Sequence, residues 1–154
     1  MLYFAYGSNM DWSQMRERCP SARFVGVAKL PNHHLAFTRK SNTRDCGVAD
    51  AVSEARRDVW GVVFEISELD VGRLDKSEGY RPGRDKNFYW RRECMVYLGG
   101  DEERPVTAAT YFAERQPSPP QPSHAYKELI LSGARYWHLP GDYIAELVAI
   151  DVSG

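Results

Sequence analysis

Leu2-Tyr3-Phe4-Ala5-Tyr6-Gly7-Ser8-Asn9-Met10 runs apolar and aromatic through Tyr6 and then stops at a Gly-Ser-Asn turn. So short a run suits a buried strand better than a helix, which would be too short to nucleate. Gly7 frees the backbone where the chain reverses, and the side chains of Ser8 and Asn9 are able to cap a following helix. The predicted grammar is strand, tight turn, helix. A turn of this kind directs several backbone N–H groups one way and can hold a carboxylate or a developing oxyanion. An ordinary strand-to-helix connection would use the same residues, so on this stretch alone both readings stand.

Beyond the turn, Trp12, Met15 and Cys19 form one helical stripe that Pro20 closes. Phe24 to Leu30 and Leu35 to Thr38 read as short strands interrupted at Pro31-Asn32, and Arg39 to Asp45 as an exposed loop. Gly47 to Val52 adds a further strand. Val59 to Ile66 is apolar on both faces and is predicted at the centre of the sheet. Ser67 and Asp70 resemble a capping box, which predicts a helix from about Glu68 to Ser77 ending at Gly79. Tyr80 to Asn87 reads as a surface loop, its Arg81, Arg84 and Lys86 more simply solvated than anion-binding. Phe88 to Leu98 and Val106 to Phe112 flank Gly99-Gly100-Asp101 as a hairpin. The proline-rich Gln116 to Ser123 reads as an extended surface segment. Ser123 then caps a helix striped by Tyr126, Ile130, Ala134 and Trp137, and a last short helix after Pro140-Gly141 carries Tyr143, Leu147 and Ile150.

Composition narrows the function. A chain of 154 residues suits a single domain, here residues 1–154. With 20 basic and 21 acidic residues, it has no electrostatic footprint for nucleic acid or an anionic membrane, and small-molecule chemistry is the default. Cys19, Cys46 and Cys94 are odd in number and far apart, and no secretory pattern precedes Tyr3, so a reduced, cytoplasmic setting is expected. No apolar run approaches the length of a membrane span. Monomer and homodimer both remain open.

Glu78 is the residue that breaks a pattern. It continues the stripe of Val71 and Leu74 toward the core, where a carboxylate is costly unless it is used or paired. Burial and the negative end of the helix dipole would both raise its pKa toward that of a base useful at neutral pH. A frayed helix end with Glu78 in water fits the spacing equally well. Asp70 and Asp75 fall off the stripe and are expected in solvent. Other chemistry is poorly provided for. His33 and His34 are adjacent and lack ligand partners, so no metal site is expected. There is no phosphate loop and no dinucleotide-binding glycine pattern. Ser8 lacks the strand-elbow pattern of hydrolases, and no His is placed to activate Ser8 or Cys46.

Tyr3-Phe4-Ala5-Tyr6-Gly7-Ser8-Asn9, Val59-Trp60-Gly61-Val62-Val63 and Leu74-Asp75-Lys76-Ser77-Glu78-Gly79-Tyr80 together resemble the gamma-glutamylcyclotransferase family. Pro122-Ser123-His124-Ala125-Tyr126-Lys127, Ser132-Gly133-Ala134 and Leu139-Pro140 extend the resemblance, which spans Leu2 to Ile150. It implies an α+β fold, a small mixed β-barrel-like sheet with flanking helices, which suits the alternation of strands and helices. The implied reaction closes a gamma-glutamyl compound, an amino acid or an amine conjugate, to 5-oxoproline and releases the attached amine, with no cofactor. Glu78 would be the general acid/base. Tyr3, Phe4, Ala5, Tyr6, Gly7, Ser8, Asn9 and Tyr126 would bind the substrate. A non-catalytic binding protein on the same fold and a hydrolase using Ser8 or Cys46 are the competing expectations.

Overall fold

Two long strands, β2 (Arg23–Ser41) and β3 (Cys46–Glu65), dominate the computed structural model of the chain, which describes residues 1–153. The apolar end of β3 is buried, with Val59, Val62, Val63 and Phe64 fully removed from solvent. It lies between β2 and β1 (Leu2–Ala5), antiparallel to both, with Leu2 opposite Glu65 and Ala5 opposite Val62. β4 (Tyr89–Leu98) and β5 (Pro105–Ala113) form the expected hairpin. β4 meets β2 at Ala28–Leu98, and β5 meets β1 in parallel at Tyr3–Ala109, closing a barrel in the order β1-β3-β2-β4-β5. A single parallel seam among antiparallel pairs makes the barrel mixed. The helices are α1 (Trp12–Arg18), α2 (Glu68–Ser77), α3 (His124–Tyr136) and α4 (Gly141–Val148).

Several local expectations are corrected. β2 is not interrupted at Pro31-Asn32. The register shifts there between Pro31 and His33, with Asn32 at φ 60°, so the break is a bulge within one continuous strand. Likewise Gly47 to Val52 and Val59 to Ile66 are one strand, β3, joined through the exposed residues 53–58. Opposite Asn32, β3 has four residues, Glu54 to Arg57, with no partner on β2; this bulge is exposed, so it carries no hydrophobic alternation to read. Arg39 to Asp45 is not a free loop: Arg39–Ser41 pair with Cys46–Val48, and only the turn between them is unpaired. The first helix is capped by Asp11, whose carboxylate accepts from Gln14 N at 3.0 Å, while Ser8–Met10 form a separate 3-10 turn.

Asp70 and Asp75 are also not solvated; they are 2% and 6% exposed. Asp70 accepts from Ser21 N at 2.8 Å and from Arg73 at 3.1 Å. Asp75 accepts from Tyr111 Oη at 2.5 Å and Arg91 at 2.6 Å, partners supplied by the β4–β5 hairpin. Buried carboxylates are tolerated because every one of these bonds replaces water with a donor.

α3 holds the turn from behind. Ser123 Oγ accepts from Tyr126 N at 3.1 Å, as the capping signal predicts. The proline-rich segment that precedes it is fastened to the β2–β3 ribbon by Gly47 N donating to Gln121 O at 3.0 Å. At Gly133 the helix lies directly on the Ser8–Met10 turn, where a Cβ would stand 2.3 Å from the Met10 backbone, and Trp137 Nε1 donates to Met10 O at 2.9 Å. Only the absence of a side chain permits that approach. Gly133→Ala is therefore expected to lower stability by about 1–3 kcal/mol in urea unfolding. Gly72→Ala in α2, where a Cβ meets nothing within 4 Å, is expected to raise it by about 0.5–1 kcal/mol.

Candidate active site

The turn between β1 and α1 opens on a cavity of about 310 Å³. Tyr3, Tyr6, Gly7, Ser8 and Asn9 line it from the N-terminal segment, Glu78 from the end of α2, and Tyr126 from the first turn of α3. Three stretches distant in sequence are thus brought to one place because β1 is a barrel strand, α2 ends against it and α3 is seated on the turn. Phe4 and Ala5 do not reach the cavity. Both are wholly buried, and a Cβ on Gly61 would stand 2.9 Å from the Phe4 ring, so their part is in the core.

Glu78 is the C-cap of α2 at φ −89° and ψ 0°, followed by Gly79 at φ 66° in the left-handed region that ends many helices. Its side chain is 16% exposed and turned to the cavity rather than to solvent. Asn9 Nδ2 donates to Glu78 Oε1 at 3.1 Å and to Tyr3 Oη at 3.0 Å, and Arg18 Nη1 lies 3.9 Å from the same carboxylate oxygen. Burial pushes the Glu78 carboxyl above its usual range; Arg18, Arg44 and the Asn9 bond oppose the rise without cancelling it, and Asp75 adds to it.

Tyr126 Oη accepts from Ala49 N at 3.1 Å, which leaves its own proton free to donate, and burial lifts its pKa to about 12, so it stays protonated. Ser8 Oγ accepts from Gln14 Nε2 at 2.8 Å, and no His or Cys lines the cavity among the described residues. Cys46 is 1% exposed. Neither expected nucleophile has an activating base. Among the described residues the backbone N–H groups of Gly7, Ser8 and Asn9 have no acceptor outside their own turn.

Five basic side chains, Arg18, Arg39, Lys40, Arg44 and Lys76, share the cavity with the single carboxylate of Glu78. The site is built for an anionic ligand. Arg39, Lys40 and Arg44 come from the tip of the β2–β3 ribbon, and no local sequence pattern marks them. Arg81, Arg84 and Lys86 do not line the cavity; Arg84 donates to Gly79 O at 3.1 Å and to Asn87 at 3.0 Å.

The AIG2-like family model matches residues 58–147. Gamma-glutamylcyclotransferases of Homo sapiens and Bos taurus are each 34% identical to this chain over 97% of it and 78% of their own length. The chain belongs to the gamma-glutamylcyclotransferase family. A solved gamma-glutamyl cyclotransferase shares the fold with a TM-score of 0.88 and 32% identity, covering 99% of this chain and 89% of that one. The family membership and the barrel read from the sequence motifs are thereby borne out, and the chain is an enzyme of the gamma-glutamylcyclotransferase kind.

Within this family fold, the raised Glu78 carboxyl has a consequence for stability. Its folded pKa lies above its unfolded value of about 4.5, so its favourable contribution is complete below that value and is lost as pH rises through the folded pKa. A Gln at this position does not titrate. Glu78→Gln is therefore expected to melt close to the wild type at acid pH and at a higher temperature than the wild type at pH 7, in thermal unfolding followed by circular dichroism.

Proposed function

We propose that this protein converts gamma-glutamyl compounds to 5-oxoproline with Glu78 as general acid/base, all within one domain of residues 1–154. The observation that carries the proposal is a raised, cavity-facing carboxylate directly beside a turn of unpaired N–H groups. The cavity's excess of basic side chains suits the alpha-carboxylate of a gamma-glutamyl group.

The chemistry follows from the substrate's own geometry. Its alpha-nitrogen can reach its gamma-carbonyl and close a five-membered ring, and intramolecular attack has the advantage of proximity. The obstacle is a proton, because an alpha-ammonium with a pKa of about 8 is mostly protonated at pH 7 and has no lone pair to attack with. Glu78 takes that proton. The amine then adds to the gamma-carbonyl, and the N–H groups of the Tyr6 to Asn9 turn stabilise the negative oxygen or hold the alpha-carboxylate. Glu78 returns the proton to the leaving nitrogen, the original C–N bond breaks, the ring nitrogen's surplus proton passes to the departing amine, and 5-oxoproline and an ammonium product result without water being consumed. Tyr126 donates its hydroxyl proton to the bound substrate. For the location we infer the cytoplasm, on the strength of three free cysteines, two of them buried.

Incubation with a series of gamma-glutamyl amino acids and gamma-glutamyl amines is expected to yield 5-oxoproline by mass spectrometry. Glu78→Gln should lower kcat by about 100-fold to 10,000-fold. In the wild type, kcat/KM should climb with pH as Glu78 ionises. Free glutamate as the product, or binding by calorimetry without turnover, would overturn the proposal.

A further inference from the structure

Asn9 Oδ1 accepts two hydrogen bonds, from Gln14 Nε2 at 2.9 Å and from Arg18 Nη1 at 3.0 Å. A guanidinium carries donors and no acceptor, so the amide atom that faces Arg18 must be the oxygen. The nitrogen of Asn9 is then the atom left to face Glu78 and Tyr3. The same argument applies one step further out: Arg44 Nη2 donates to Gln14 Oε1 at 2.8 Å, so Gln14 must present its nitrogen to Asn9 and Ser8. Two arginines, one at the end of α1 and one at the tip of the β2–β3 ribbon, thereby set the polarity of two consecutive amides. Every hydrogen bond and ion pair of the Glu78 carboxylate among the described residues falls on Oε1.

We propose that Gln14, Arg18 and Arg44 are positioning residues that lock Asn9 as a donor to Glu78 Oε1 and so reserve Oε2 as the oxygen that carries the substrate's proton. The proposal rests on the reading of Glu78 as the base. A flipped Asn9 would aim a lone pair at the carboxylate, disfavour its ionised form and release the side chain to rotate. The unlocked site would hold its base protonated to higher pH and misaligned when ionised.

The other groups around Glu78 leave this effect legible. On β1, Tyr3 is pushed far up by burial, as are Tyr6 after it, Tyr89 on β4 and Tyr111 on β5. Tyr126 on α3 and Cys19 after α1 are both lifted to about 12. All stay neutral where a carboxylate titrates. The charged groups that act most on it are Arg18 on α1, Arg44 on the ribbon turn and Asp75 on α2; Lys76 on α2 and Arg39 and Lys40 on β2 share the cavity and are kept in every variant.

The test is the titration of the Glu78 carboxyl carbon, followed by NMR in substrate-free protein labelled at glutamate side-chain carboxyls and assigned against Glu78→Gln. Read without substrate, its outcome is independent of whether the protein turns gamma-glutamyl compounds over. Arg18→Gln removes a charge as well as one of the two donors to Asn9 Oδ1 and is expected to move the titration upward by about 1 pH unit. Arg18→Lys keeps a donor-only head and should restore most of the wild-type value. In the Arg18→Gln background, Gln14→Met removes no further charge and takes away the remaining donor to Asn9 Oδ1, so a further upward shift in the double variant reports the amide polarity. With gamma-glutamyl substrate, Arg18→Gln/Gln14→Met should lower kcat by about 10-fold beyond Arg18→Gln, with KM changed far less. A Glu78 titration no higher in Arg18→Gln/Gln14→Met than in Arg18→Gln, in protein shown by circular dichroism to be folded, would overturn the proposal even where Arg18→Gln shifts it.

Discussion

The hydrogen bond from Asn9 to Glu78 joins the first turn of the chain to the end of its second helix, 69 residues later, and the arrangement of the rest follows from making that contact possible. β1 must sit inside the sheet, flanked by β3 and β5, to present the turn at the barrel's edge. α2 must end at Gly79, one residue after the carboxylate, so that Glu78 leaves the helix pointing at the turn. α3 must approach within a backbone's thickness of Met10, which Gly133 allows. A closed barrel with helices packed outside it supplies all three conditions without an exposed sheet edge near the site.

The electrostatic logic is one of opposed effects in which burial prevails. Burial alone would hold Glu78 protonated, and an alpha-ammonium would then find no base. A close, fully bonded ion pair would do the reverse, holding the carboxylate as a stable anion too weak to take a proton from nitrogen. The structure sits between these extremes, with Arg18 at 3.9 Å and one neutral amide bond at 3.1 Å. Asp75 shows the contrast. It is buried too, but Arg91 and Tyr111 occupy both its oxygens and leave it nothing to do but hold α2 to the hairpin.

How much of this was legible in the sequence depended on the range over which each signal acts. The Gly7-Ser8-Asn9 turn, the Ser67 and Ser123 caps and the Val71, Leu74, Glu78 stripe are local patterns, and each marks its element correctly. Glu78 could be singled out because a carboxylate on an apolar stripe violates a rule that acts within two helical turns. Arg18, Gln14 and Arg44 violate nothing locally; a charged residue at a helix end or in a hairpin turn is ordinary, and their meaning arises only when the ribbon tip is folded back over α1. The same limit explains β2 and β3, whose middle stretches meet at an exposed bulge, Asn32 opposite Glu54 to Arg57, that breaks the alternation. Phe4 and Ala5 join the expected site by adjacency to Tyr3 and Tyr6, but both are wholly buried and pack against Gly61, and alternation along β1 does not mark that outcome because it sets Phe4 and Ala5 on opposite faces.

The central claim is that residue 78 faces the substrate's alpha-nitrogen while the turn faces the opposite end of the reacting group. A crystal structure of Glu78→Gln holding an intact gamma-glutamyl amino acid tests it most directly. The account predicts the alpha-nitrogen within hydrogen-bond reach, about 3 Å, of the residue 78 side chain, with an oxygen of the gamma-glutamyl group on the N–H groups of the Tyr6 to Asn9 turn. A substrate bound in the cavity with its alpha-nitrogen turned away from residue 78 would contradict it.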